Sequence, residues 1–308
     1  MGSPALDMSL RINREDFLKE EVLCGFRVTT KMKKVFKVQL DMLEVVQDIC
    51  KRHGLHYLLC GGSLLGAVRH KGYIPWDDDI DISMLRPDYD KFVKIANEEL
   101  KPPYFLQTTL SDPNCDITFA KLRNSNTTAI VPGLLDRQGA INQGVFIDIF
   151  PVDGVPNNHT SYRRQIMVLN FLSTILGYAH MTYNPGGLRA VKKLLLKIVF
   201  KVVGLRRICE WRESILRKYG VDECKKSGQI SFFGLNTCTN LPIRYFRDAV
   251  EVPFEYLYVR IPRECDAVLT AQYGDWHKIV KGTQYHGGLY FDPECPYEET
   301  LKKGIKYE

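Results

Sequence analysis

The stretch Ile74-Pro75-Trp76-Asp77-Asp78-Asp79-Ile80-Asp81-Ile82-Ser83 places four carboxylates within five consecutive residues, between a Trp and β-branched apolar residues. Like charges this close repel, and holding them near a core is costly unless something positive completes the group. If the segment is extended, side chains two apart share a face. Asp77, Asp79 and Asp81 then point one way, while Asp78, Ile80 and Ile82 point the other. The competing reading is an acidic surface turn, because Pro-Trp-Asp-Asp is acceptable turn chemistry.

Two features elsewhere in the chain weigh against a mere surface turn. Asp148 is the one acid in the apolar run Val145-Phe-Ile-Asp-Ile-Phe150, where a carboxylate must be paired or metal-bound to be tolerated. Gly61-Gly62-Ser63 follows the apolar run HYLLC and precedes LLGAVRH. A glycine turn between a strand and a helix lets a phosphate approach the backbone and the helix N-terminal amides. Strand, Gly-Gly-Ser, helix, then Asp-x-Asp, then a lone Asp on a later strand is phosphoryl-transfer apparatus. Mg²⁺, or Mn²⁺, takes hard oxygen ligands of this kind together with substrate phosphates.

The remaining sequence sets the frame. With 308 residues, 45% hydrophobic and 25% charged, the chain has enough material for a sizeable core. A net charge of +6 suits an anionic substrate or a membrane surface, and no nucleic-acid-binding signature accompanies it. Nine cysteines without a CxxC pair or a His/Cys cluster point to reduced core thiols, hence the cytosol. The first residues, MGSPALDMSLRINREDF, lack the apolar segment of a signal peptide, and no apolar run is long enough to span a membrane.

Periodicity predicts a helix from Thr29-Thr30 to Gly54, with Val35, Leu40, Leu43, Val46 and Ile49 on one face. Strands are expected at HYLLC, IDISM, YFLQTTL, ITFAKLR and VFIDIF, the last ending at Pro151, with short helices at LLGAVRH (ending at Gly72) and at 87–100. Helix and strand thus alternate around a mixed sheet, an α/β (α+β) architecture. Residues 1–28 form an N-terminal extension, 29–156 the core, and 157–308 a helical and C-terminal region packed with it. Helices are expected over 162–180, 188–208 and 210–219. The second carries seven Lys/Arg and no acid. Its Arg189, Lys193, Lys197 and Lys201 recur every four residues opposite Val191, Leu194, Leu195, Ile198 and Val202. Such a helix either lies in a membrane interface or packs its apolar face on the core beneath a solvated basic face.

The string CGGSLLGAVRHKGYIPWDDDIDISM resembles the signature of the LicD family, which includes bacterial phosphocholine transferases and is related to fukutin and fukutin-related protein. ITFAKLRNSNTT, GVFIDIFPVDG and LTAQYGDW resemble further motifs of that family, so the likeness runs from Thr29 to Trp276. It implies a nucleotidyltransferase (DNA polymerase β-like) mixed-sheet core with helical additions. It also implies transfer of a phosphorylated alcohol, phosphocholine first, from a CDP-activated donor to a glycan or lipid-linked glycan. By the same likeness Asp79, Asp81 and Asp148 match three metal carboxylates, with Asp77 a further ligand or support. Gly61, Gly62 and Ser63 match the loop for the donor phosphate, and Lys121 and Arg123 match positions that hold its pyrophosphate. After Tyr-Gly the family often has Pro-Pro and a His pair; this chain has HKIVKGTQYHGG, in which His286 is the counterpart. His70 either touches the donor or is a helix-end His favoured by the dipole. Trp76 either stacks on a base or choline group or braces the acidic turn from the core. Two other classes stay open: another Asp-x-Asp enzyme acting on nucleotides or nucleotide-sugars, and a non-catalytic nucleotide-binding module.

Overall fold

The computed structural model describes residues 8–130, 141–179, 186–230, 240–282 and 288–304. Its first long element is helix α1 (Thr30–His53), which starts where the Thr29 hydroxyl accepts the Met32 amide at 3.3 Å. It stops at Gly54, whose left-handed φ of 63° needs no Cβ accommodation. The stripe expected to be apolar is buried, from Val35 to Ile49. Two short helices follow, α2 (Gly61–His70) and α3 (Arg86–Glu99).

A seven-stranded mixed sheet carries the fold, with strands β1 (Glu21–Leu23), β2 (Phe26–Val28) and β7 (Thr128–Ile130) outside it. Its hub is the long strand β8 (Val145–Val155). On one side β8 pairs in parallel with β4 (Asp81–Leu85), which continues antiparallel to the two-residue β3 (Leu58–Leu59). On the other side its first half pairs antiparallel with β6 (Ala120–Asn124), and β6 with β5 (Tyr104–Gln107). Its last residues pair with β9 (Lys226–Gly228), and β9 with β10 (Leu241–Pro242).

Three boundaries differ from the sequence reading. Strand β8 does not end at Pro151 but runs through it. Pairing with β6 stops at Ala120–Ile149 and pairing with β9 starts at Gly228–Asp153, so Pro151 falls where no partner asks for its missing N–H. Helix α2 begins at Gly61 rather than after Ser63 and ends at His70, with Lys71 in the left-handed region. The helix expected over 188–208 breaks at Gly204 (φ 83°), giving α5 (Leu188–Val203) and α6 (Leu205–Leu216) after α4 (His159–Ala179).

One main core joins α1, α2, α3, one face of the β4–β8 junction and the hairpin β11–β12 (Ala249–Phe254, Leu257–Pro262). From the segment set apart as an extension, Phe17 and Val28 belong to that core. Helices α4, α5 and α6 pack around two smaller apolar clusters of their own. Eight free thiols occur among the described residues. No described helix is long and apolar enough to cross a membrane.

Candidate functional site

Ile74 opens the acidic segment with a turn: its carbonyl accepts the Asp77 amide at 2.9 Å, with Pro75 at the second position. Strand β4 begins only at Asp81. The alternation expected for an extended Asp77–Asp81 therefore does not hold. Carboxylate oxygens of Asp77, Asp78 and Asp79 come within 4.8 Å of one another. Asp78, which strict alternation turned away, is brought into the group. Buried Gln39 of α1 holds this turn, donating to the Asp78 carbonyl at 2.7 Å and accepting from the Tyr73 hydroxyl at 3.1 Å. A glutamine in the apolar stripe of a core helix was the available signal for that role, and sequence reasoning missed it.

Asp81 opens β4 directly beside Asp148 of β8 in the parallel register. The Asp148 amide donates to the Ile80 carbonyl at 2.8 Å, which locks the two strands together at the acids. Across the antiparallel register stands Lys121 of β6, its ammonium 2.5 Å from the Asp148 carboxylate and 3.6 Å from the centre of the Phe146 ring. The lone acid of the Val145–Phe150 run is thus paired. Burial holds the Asp81 carboxyl well above the usual carboxylate range, reinforced by Asp79, Asp148 and Asp77. Burial lowers Lys121, against the pull of Asp148.

Gly61 and Gly62 meet this group from the N-terminus of α2. A Cβ on Gly61 would stand 3.0 Å from an Asp81 carboxylate oxygen, and one on Gly62 would stand 2.5 Å from an Asp77 oxygen. Gly61 also has a φ of 56°. The glycines therefore let two carboxylates lie against a helix start, where the dipole favours negative charge. The Ser63 hydroxyl accepts the Asp81 amide at 2.8 Å, pinning the helix to the first residue of β4. The first intrahelical bond runs from the Leu64 amide to the Cys60 carbonyl, so the amides of residues 61–63 precede the ladder.

The other expected residues are placed differently. Arg123 lies on the Lys121 face, but it donates to the Gln107 side-chain oxygen and the Gly144 carbonyl, each at 2.6 Å. Its guanidinium is buried, which lowers its pKa to about 10. It binds the sheet together before it binds anything else. His70 stands at the other end of α2, roughly 14 Å along the helix from Gly61. Its ring accepts from Arg69 Nε at 3.0 Å, and burial, with Arg69 and Arg11 nearby, lowers its pKa to about 4. It is a neutral helix-end residue, not the protonated one a dipole would favour. Trp76 is half-buried against the core, edge-on to Phe26 at 6.2 Å and so close to Gly282 that a Cβ there would meet the indole at 2.4 Å. These are contacts of the kind a brace makes. His286 lies outside the described residues.

A cavity of about 530 Å³ opens between Tyr89 and Val93 of α3, Phe119, and Glu213 of α6. Phe119 packs on Phe150 at 4.6 Å, on the sheet face that carries Asp148, but none of the site carboxylates lines the cavity.

With this geometry the comparisons can be placed. Residues 54–170, which run from the end of α1 through the glycines, the acids and β8 into α4, match the family model described as "LicD/FKTN/FKRP, nucleotidyltransferase domain". The chain is 29% identical over 248 residues to the lipopolysaccharide cholinephosphotransferase LicD of Haemophilus influenzae, covering 79% of this chain and 89% of that one. The chain resembles the LicD family, with the matched domain over residues 54–170. A shorter likeness, 39% over 54 residues, links it to the human ribitol 5-phosphate transferase FKRP, covering 18% of this chain and 11% of that protein. Both of these relatives are named as transferases of a phosphorylated alcohol, and the acids at the β4–β8 junction all fall inside the matched segment.

Proposed function

We propose that this LicD-like chain transfers phosphocholine from CDP-choline to a hydroxyl of a cell-surface glycan or its lipid-linked precursor, working on the cytoplasmic side. The observation that carries the reading is the convergence of the α2 glycines, the Asp77–Asp81 segment and Asp148 at the β4–β8 junction. The core would then be of the nucleotidyltransferase kind. The donor set consists of hard carboxylate oxygens, three of them within 4.8 Å, which suits Mg²⁺ or Mn²⁺. Asp77, Asp79, Asp81 and Asp148 would hold it, with Asp78 a further candidate. When bound, the ion supplies charge neutralisation and polarises phosphoryl oxygens.

The chain's own groups do the rest. Residues 61–63 offer amides at the α2 start to donor phosphate oxygens. Lys121, already against Asp148, adds positive charge, and Arg123 keeps its strand in register. Asp148 takes the proton of the acceptor hydroxyl as that oxygen forms its bond to the choline-bearing phosphorus. The bond from that phosphorus to the oxygen bridging it to CMP breaks, and CMP leaves with the electron pair. Positioning and charge account for most of the rate in such transfers.

The test is a screen for CMP release with Mg²⁺ from CDP-choline, CDP-ribitol, CDP-glycerol and CDP-ethanolamine. CDP-choline turnover, abolished in Asp79→Asn and Asp81→Asn with an unchanged circular dichroism spectrum, supports the reading. Release from another CDP-alcohol alone changes the alcohol. UDP release from a nucleotide-sugar, nucleotide attachment to a small molecule, or full activity in either variant overturns it.

A further inference from the structure

From residue 154 to 209 the chain has nine Lys/Arg and neither Asp nor Glu. Within it, α5 is turned opposite to the orientation that packing on the core would require. The residues that α5 buries are Lys193 and Leu196, with Phe200 and Val203 partly covered against the α4–α6 cluster. The stripe on its other side faces solvent: Val191, Leu194, Leu195, Ile198 and Val202 are exposed by between 51% (Ile198) and 76% (Val202). Lys192 borders this stripe on one edge, Lys197 and Lys201 on the other, by the 100° step of the helix. The stripe extends towards α4. The Lys192 ammonium lies 5.3 Å from the Tyr178 ring centre, and exposed Phe171 and Met167 sit seven and eleven residues earlier on the same line of α4.

A row of five exposed large apolar side chains rimmed by lysines marks an interaction site. We infer that the outward face of α5, with the Phe171 edge of α4, docks on an anionic membrane surface. The basic rims select that occupant. A second copy meeting the same face would set lysines against lysines, whereas anionic headgroups neutralise them while the stripe enters the acyl boundary. The inference does not rest on the transferase reading, and its test does not read activity. Helix α4 starts shortly after β8 ends, so docking would hold the acidic site at a fixed distance from the bilayer.

The test is co-sedimentation of the full chain with phosphatidylcholine vesicles and with phosphatidylcholine–phosphatidylglycerol vesicles, each at low and high salt. Binding is expected only with phosphatidylglycerol, weakening as salt rises. Lys197→Glu with Lys201→Glu should lower the partition coefficient at least about 25-fold, near fivefold for each lysine lost and more for the two acids gained. Leu194→Ser with Ile198→Ser should abolish binding with an unchanged melting temperature. The charge-reversal pair, fully on the surface, keeps the test open should the apolar pair fail to fold. Three outcomes overturn the inference: no sedimentation with either vesicle, equal binding to both, or concentration-dependent self-association that the same variants remove while vesicles bind nothing.

Discussion

Gly62 shows most directly how one missing methyl group shapes the site. Its absent Cβ leaves the space that an Asp77 carboxylate oxygen fills. Gly62→Ala should push that carboxylate from the group while leaving α2 helical, and a displacement near 1 Å costs about 100-fold in turnover. Steady-state kinetics beside a melting curve would check it: a large loss in kcat with little change in Tm is expected. His70 makes a second residue-scale prediction. Burial and two arginines lower its pKa from 6.5 to about 4 in the folded chain. Between these values the unfolded chain binds a proton that the folded chain refuses, so this stability is complete above the upper value and is lost as pH falls towards the lower. The Tm of the wild type should therefore fall more steeply between pH 7 and 4 than that of His70→Gln; parallel curves would count against it.

At the scale of elements, the sequence was most legible where structure is local. Helix α1 begins at Thr29 and ends at Gly54 because the cap hydroxyl, the left-handed glycine and the apolar stripe all belong to one continuous segment. The acidic segment was read as extended because alternation presupposes a strand, and the Ile74–Asp77 turn removes that premise. Pro151 looked like a stop because a proline's cost depends on which neighbour faces its nitrogen, which is not written in the strand itself. The same strand carries a buried acid that sequence reasoning left out. Asp153 takes both ends of the Arg86 guanidinium at 2.6 and 2.9 Å, and Glu213 of α6 joins at 3.0 Å. This buried pair ties β8 to the start of α3 and to α6. Asp153→Ala removes the most buried partner of Arg86, leaving it Glu213 and Asp90, and should destabilise towards the lower end of about 3–5 kcal/mol, measured by urea unfolding, while Asp222→Ala, whose partner Arg247 is exposed, should change little.

For the whole molecule, the acids raise the question of what balances them. Lys121 compensates Asp148, and the start of α2 favours Asp77 and Asp81, yet Asp81 is still held towards its protonated form. A divalent cation binding only the folded chain stabilises it. At Mg²⁺ a hundredfold above its dissociation constant the gain is about 2.7 kcal/mol, or about 4 °C in Tm for a chain of this length. Differential scanning fluorimetry should show that rise, its reversal by EDTA, and its loss in Asp81→Asn; an equal rise in the variant would remove Asp81 from the ligand set.

Residue chemistry and spacing along the chain were sufficient for the mixed α/β class and for singling out Gly61-Gly62, the acidic run and Asp148, while longer motif strings carried the resemblance to the LicD family. Those features are local or motif-borne and survive without knowledge of neighbours. Only the tertiary structure decided that Asp78 joins Asp77 and Asp79, that Arg123 is engaged by Gln107 and Gly144, that Gln39 clamps the turn, and which way α5 faces. Each of these depends on what a distant segment places opposite the residue. An amphipathic helix has the same pattern whether its apolar side meets a core or faces outward; the packing of its other side makes that choice.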